Sequence, residues 1–200
     1  MRVFAALRPP PEVLGSLEAA LEDVRASSGL SLRWTDPAQW HLTLAFRADL
    51  PEGSVEETLG RLAELAAAHA PLRLELAGAG VFAHRTLWAG VGGQTQALAA
   101  LMAEPLLGED AVEARTRRRA HLTLARVSAR APRPPRRRRR GQEPPPDPTR
   151  LVLEAAVHTL SVYRNPVWVA REVELVASQL GQGRSGGPLH EVLGVVPLGG

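Results

Sequence analysis

One pentapeptide occurs twice: His41-Leu42-Thr43-Leu44-Ala45 returns as His121-Leu122-Thr123-Leu124-Ala125, and this repeat constrains the fold more than any other feature. With six histidines among 200 residues, composition alone makes such a coincidence improbable. In a strand, successive side chains alternate between faces, so the histidine and threonine of each copy point one way and the two leucines the other. Each copy is therefore a strand with one apolar face for a core and one reactive face for a ligand. A pseudo-twofold relation between the two halves brings both reactive faces to one cleft.

Two imidazoles and two hydroxyls around one small ligand suit phosphodiester chemistry. Histidine titrates near 6.5, so at one pH a neutral ring serves as base and a protonated ring as acid. Threonine hydroxyls donate to non-bridging phosphoryl oxygens as charge builds there. A lone His-x-Thr is more often a strand edge facing water, and it is the duplication that reverses those odds. A zinc site fits less well, because two histidines with distant carboxylates lack compact ligand spacing and threonine is a poor ligand. No metal or other cofactor is expected.

The flanking sequence reads as an α+β domain. Arg2 to Leu7 is a short buried strand, followed by a helix entered through Pro9-Pro10-Pro11 and ending near Gly29, with Leu14, Leu17, Leu21 and Val24 at helical spacing. Ser31 to Trp34 and His41 to Arg47 are strands separated by the turn at Asp36-Pro37. Ser54-x-x-Glu57 is a capping-box pattern opening a helix to about His69, with Val55, Leu59, Leu62 and Leu65 on one stripe. Strands follow at Leu72 to Ala77, Gly80 to Ala83 and Thr86 to Val91, then a helix from Thr95 to Leu107 and a strand from Ala120 to Val127. Residues 128–149 hold seven prolines and the run Arg136 to Arg140, and read as a flexible insertion. A helix near Arg150 to Leu160, strands Val167 to Val176 and Leu189 to Val196, and the glycine-rich turn Gly181 to Gly187 complete the chain. The expected architecture is one two-lobed domain over residues 1–200, a pseudo-twofold pair of antiparallel sheets with flanking helices around a central cleft.

Charge is unevenly placed. The chain has no lysine, and residues 115–140 hold 12 of its 24 arginines with no acid, leaving 12 arginines against 21 acids elsewhere. The arginine run either steers a nucleic acid toward the cleft by long-range attraction or is a solvated surface loop. Arg117-Arg118-Arg119, directly before the second motif, is placed to contact nucleic-acid phosphates. With no cysteine, no apolar run long enough to span a bilayer and no signal-peptide core, a cytoplasmic monomer is expected.

At the two motifs the chain resembles the two-histidine phosphoesterases, and within them the RNA 2′,3′-cyclic phosphodiesterases also called 2′-5′ RNA ligases. The resemblance extends to Arg2-Val3-Phe4-Ala5-Ala6-Leu7, Leu32-Arg33-Trp34, Gly80-Val81-Phe82, Leu87-Trp88-Ala89-Gly90-Val91 and Leu175-Val176-Ala177-Ser178-Gln179-Leu180, in the family order. It implies a bilobal fold and hydrolysis of a terminal 2′,3′-cyclic phosphate on RNA or a nucleotide to a 2′-phosphate, with weak reverse 2′-5′ ligation. It further implies that His41 is the proton donor and His121 the proton acceptor, that Thr43 and Thr123 hold the phosphate, that Arg126 gives it positive charge and that Phe46 lines the nucleotide site. Arg126 and Phe46 each follow their histidine by five positions, which by strand parity places them on the opposite face unless the chain bends. Ala120 stands where the family usually has proline, and Arg47-Ala48-Asp49 where it has residues like Leu-Gly-Glu. His190 stands where it has a late tyrosine; the cleft wall and the surface are both open to it, and the surface is preferred. Two alternatives remain, a non-catalytic RNA-end binder on the same fold and a phosphoesterase acting on another cyclic phosphate or a 2′-5′ oligonucleotide.

Overall fold

The computed structural model describes residues 1–108, 118–132, 147–183 and 187–199. Its centre is set by the most apolar strand, β1 (Val3–Leu7), whose five residues are all buried. A strand buried on both faces needs neighbours on both edges, and β1 pairs antiparallel with β3 (Leu42–Arg47) on one side and β8 (Glu172–Gln179) on the other. β9 (Leu189–Pro197) extends this half beyond β8. The other half runs from β6 (Leu122–Val127) through β5 (Thr86–Gly93) and β4 (Leu72–Phe82) to β7 (Trp168–Ala170), and the short β2 (Leu32–Trp34) also pairs with β6. The α+β, antiparallel expectation therefore holds, with the two sheets joined into one.

The join is a single residue pair. Leu42 of β3 faces Leu122 of β6, the second residue of one pentapeptide against the second residue of the other. Antiparallel pairing of equivalent positions is what a pseudo-twofold axis between the copies requires. Both leucines are fully buried and belong to one continuous core, which also takes in Leu7, Leu62, Leu76 and Leu98 from both halves.

Five helices cover the core among the described residues: α1 (Pro11–Ala20), α2 (Glu22–Ser28), α3 (Val55–Ala67), α4 (Thr95–Ala103) and α5 (Pro148–Leu160). α3 packs on β9 and α5 on β4. The first predicted helix breaks in two at Leu21, and α4 stops at Ala103, four residues earlier than its spacing suggests. Ser54 is the N-cap of α3 but its side chain makes no cap bond; a 3₁₀ turn, Glu52–Ser54, leads in instead, and the Ser54 carbonyl accepts from the Thr58 hydroxyl. The two strands read between Leu72 and Ala83 are one, irregular between Leu76 and Ala79. The strand read from Val167 to Val176 is in fact two, because the chain leaves one half and joins the other at Arg171.

Of the 128–149 insertion, only the ends are described. Ser128 donates its N–H to the Ser31 carbonyl, Asp147 caps α5 by accepting from the Thr149 N–H, and the Thr149 hydroxyl reaches the Pro132 carbonyl. The arginine run Arg136 to Arg140 lies outside the described residues. No helix among those described is long and apolar enough to cross a membrane.

Because Leu42 and Leu122 close the sheet and sit in the shared core, Leu42→Ala is expected to lower stability by about 2–5 kcal/mol. Urea unfolding followed by far-UV circular dichroism and by tryptophan fluorescence should give coincident single transitions. Two separated transitions would mean that the halves are independent units.

Candidate active site

Each motif carries the same irregularity. Ala6 is opposite Thr43 and Ala5 opposite Ala45, so Leu44 is an extra residue in β3; Trp88 is opposite Thr123 and Leu87 opposite Ala125, so Leu124 is the extra residue in β6. A bulge shifts the alternation by one, so the residues after it change faces. Leu44 with Ala45, and Leu124 with Ala125, are accordingly buried in succession. Arg126 and Phe46 return to the face that carries the histidines. The strand parity that placed them on the opposite side fails for this reason.

Both bulges are held by side chains. The Thr35 hydroxyl donates toward the Thr123 and Leu124 carbonyls, at 2.9 and 2.8 Å, and itself accepts from Trp40 Nε1 at 2.7 Å. Arg118 Nη1 reaches the Leu44 carbonyl and the Met102 carbonyl, each at 3.3 Å. The expectation that Arg118 meets RNA is corrected here: its guanidinium points into the protein and braces the opposite motif. Arg117 lies outside the described residues.

The histidines are oriented by the backbone two residues earlier. His41 Nδ1 lies 2.7 Å from the Gln39 carbonyl and His121 Nδ1 lies 2.8 Å from the Arg119 carbonyl. A carbonyl can only accept, so each neutral ring keeps its proton on Nδ1 and leaves Nε2 as the basic nitrogen. At His41 that nitrogen accepts from the Thr43 hydroxyl at 3.1 Å. The Gln39 turn is fixed in turn by Arg8, which donates to the Ala38 carbonyl and grips both carboxylate oxygens of the buried Glu174.

One cleft of about 470 Å³ is lined by His41, Thr43, His121, Thr123 and Arg126. Phe46 is not part of its wall. It is exposed and lies under the Arg2 guanidinium, 4.9 Å from the ring centroid, and Arg2 itself is in the wall. His190 is in the wall, which corrects its preferred surface placement. Register explains why: Phe4 pairs with Val176 on the cleft face, Ser178 shares that face, and His190 pairs with Ser178.

The two imidazoles differ in surroundings. Phe4 stacks on His41 at 4.4 Å with an interplanar angle of 18°, and His190 meets it edge-on at 5.3 Å. His121 meets the edge of Phe82 at 4.8 Å, and the Trp88 ring beside it fits only because position 80, directly across the ladder, is glycine. The bond from His121 to Arg119 is open to solvent, whereas that from His41 to Gln39 is partly buried. Burial lowers the His41 pKa to about 4 against the opposing pull of the Gln39 carbonyl, and His190, Arg8 and His121 lower it further. His190 is lowered as well, by burial and then by Arg8. Sequence reasoning missed Phe4 and Thr35, which carry no motif; only the pairing of β1 with β3 and of Thr35 with β6 reveals them.

A LigT-like phosphoesterase family model matches residues 7–91. The RNA 2′,3′-cyclic phosphodiesterase of Thermus thermophilus is 36% identical over 148 residues, 68% of this chain and 73% of that protein. The chain belongs to the LigT-like phosphoesterases. The enzyme of the same name from Geobacillus stearothermophilus is 42% identical over 71 residues, which span 33% of this chain and only 23% of that protein. Among solved structures, a protein of Thermus thermophilus aligns over 100% of this chain and 99% of its own at 29% identity and a TM-score of 0.68. Escherichia coli LigT, at 21% identity and a TM-score of 0.63 over 100% and 98%, shares the fold of this LigT-like phosphoesterase.

The depressed His41 value has two measurable consequences. In ¹H–¹⁵N spectra of the free protein the His41 ring should titrate near pH 4, and bound 2′-AMP should raise that midpoint by placing negative charge beside it. Because the folded value lies below the unfolded 6.5, the ring's contribution to stability is present above pH 6.5 and lost as pH falls toward 4, so His41→Gln should flatten the stability profile in that window.

Proposed function

We propose that this protein hydrolyses terminal 2′,3′-cyclic phosphates on RNA to 2′-phosphomonoesters, with His41 as general acid and His121 as general base. One observation carries the reading: both rings are tied at Nδ1 by the carbonyl two residues back, which leaves Nε2 as the basic nitrogen of each at a cleft that both rings line, with the Thr43 hydroxyl as the partner of His41 Nε2. The relatives named RNA 2′,3′-cyclic phosphodiesterase support the substrate class.

Water attacks phosphorus while His121 Nε2 takes its proton; the bond from phosphorus to the 3′ oxygen breaks, and His41 Nε2 gives that oxygen a proton. The 2′ ester survives, and the two rings exchange protonation states until solvent resets them. The different surroundings of the rings support this division of labour, because Phe4 and His190 pack against His41 while the Nδ1 bond of His121 is open to solvent. In the empty cleft His41 stands neutral at pH 7, and the dianionic charge building on the phosphoryl oxygens is what raises its affinity for the proton it delivers. Thr43, Thr123 and Arg126 stabilise the same oxygens. With a 5′-hydroxyl in place of water, the same steps join that end to a cyclic phosphate through a 2′-5′ linkage as the bond from phosphorus to the 3′ oxygen breaks, so weak ligation without a nucleotide cofactor belongs to the reading.

His41→Ala and His121→Ala are each expected to lower kcat on a nucleoside 2′,3′-cyclic phosphate by about 10² to 10⁴, with the fold retained. The double variant should lose less than the product of the two effects. Assays in EDTA with the product's phosphate position read by ³¹P NMR check this: wild-type rates in either single variant, or a 3′-phosphate product, would refute the assignment.

A further inference from the structure

Arg33 of β2 and Arg126 of β6 are directly opposite residues of an antiparallel pair, and both line the cleft with exposed side chains. Like charges facing each other across strands repel. Neither has a carboxylate partner among the described residues. The one acidic residue in the cleft wall, Asp36, is turned to its own backbone, where it accepts from the Ala38 N–H at 3.0 Å. Compositional bias toward arginine explains arginines at scattered solvated positions. It does not explain two of them set directly opposite each other on a concave wall.

Position along the wall separates their targets. Arg126 lies three residues after Thr123 on the strand of the second motif and on the cleft wall. Arg33 stands beside it on β2, along the edge of β6 that β3 leaves after the Leu42–Leu122 pair, one strand away from the second motif. We infer that Arg33 binds the internucleotide phosphate one step upstream of the terminal cyclic phosphate, so that the substrate is an oligoribonucleotide end rather than a mononucleotide. The inference rests on the cyclic phosphodiesterase reading above. A backbone phosphate in that place relieves the repulsion between the two guanidiniums, and a guanidinium grips it with paired hydrogen bonds. Arg2, also in the wall and exposed, adds to the same positive field.

The test uses the full chain and three probes: adenosine 2′,3′-cyclic phosphate, the dinucleotide ApA ending in a 2′,3′-cyclic phosphate, and that dinucleotide with an uncharged methylphosphonate linkage. Wild type should favour the charged dinucleotide over the mononucleotide by roughly tenfold in kcat/KM, the scale of one charge-assisted hydrogen bond, and the methylphosphonate should lose that advantage. Arg33→Gln should bring the ratio of charged to uncharged dinucleotide toward one, and the dependence of log KM on log salt should fall by about 0.7, the share of one phosphate contact on a single strand. Arg33→Lys, which keeps the charge without the fork, should retain part of the preference. Equal rates on charged and uncharged dinucleotides in wild type, or an undiminished preference in Arg33→Gln, would overturn the assignment. Failure of wild type to turn over any of the three would overturn the underlying cyclic phosphodiesterase reading instead.

Discussion

Everything in this molecule hangs on the contact between Leu42 and Leu122. It is the sole ladder pair between β3 and β6, and it sets equivalent residues of the two copies against each other. Once those leucines are buried side by side, the histidine preceding each must emerge on the far face, close to the axis that relates the copies. Two imidazoles then border one cleft without any loop having to place them. The site is thus a consequence of core packing, with the leucines supplying the driving force and the histidines carried along on the same strands.

A second constraint follows from the bulges. A regular strand of six residues presents three side chains to a ligand at every second position. The extra residues Leu44 and Leu124 rotate the ends of β3 and β6, so histidine, threonine and the residue five places on all share a face. Bulges weaken a ladder by leaving backbone groups unpaired, and here the freed carbonyls of Leu44 and Leu124 are taken by Arg118 and Thr35. Equivalent defects are therefore braced by different chemistry in the two halves. The symmetry belongs to the strands and not to their supports.

How much of this was legible in advance depends on the range of the interaction. The α+β class and the order of most elements follow from patterns within a few residues of each other, and His41, Thr43, His121 and Thr123 as cleft residues follow from the exact repeat of one such local pattern. What failed was nonlocal. The break at Arg171 between β7 and β8 looks like the middle of one strand with apolar residues on both sides, because nothing local records that the chain is crossing between halves. His190 was misplaced for the same reason: its position is fixed by a chain of registers through Ser178 and the β1 strand, each invisible without pairing. The bulges leave a faint trace, two buried residues in succession, but Leu-Ala after a threonine reads equally well as an ordinary strand end.

Asymmetry between the histidines is where packing becomes chemistry. Phe4 and His190 enclose His41 and, with the nearby Arg8, make its charged form costly in the empty cleft. Under the proposed mechanism, the negative charge of a phosphate beside the ring offsets that cost, so the ligand itself would restore the proton that His41 is to deliver. His121 meets Phe82 edge to face, and its Nδ1 hydrogen bond is more open to solvent than that of His41. Duplication of one strand supplied two identical groups, and their different surroundings make them unequal, which is the asymmetry that the proposed division into acid and base draws on.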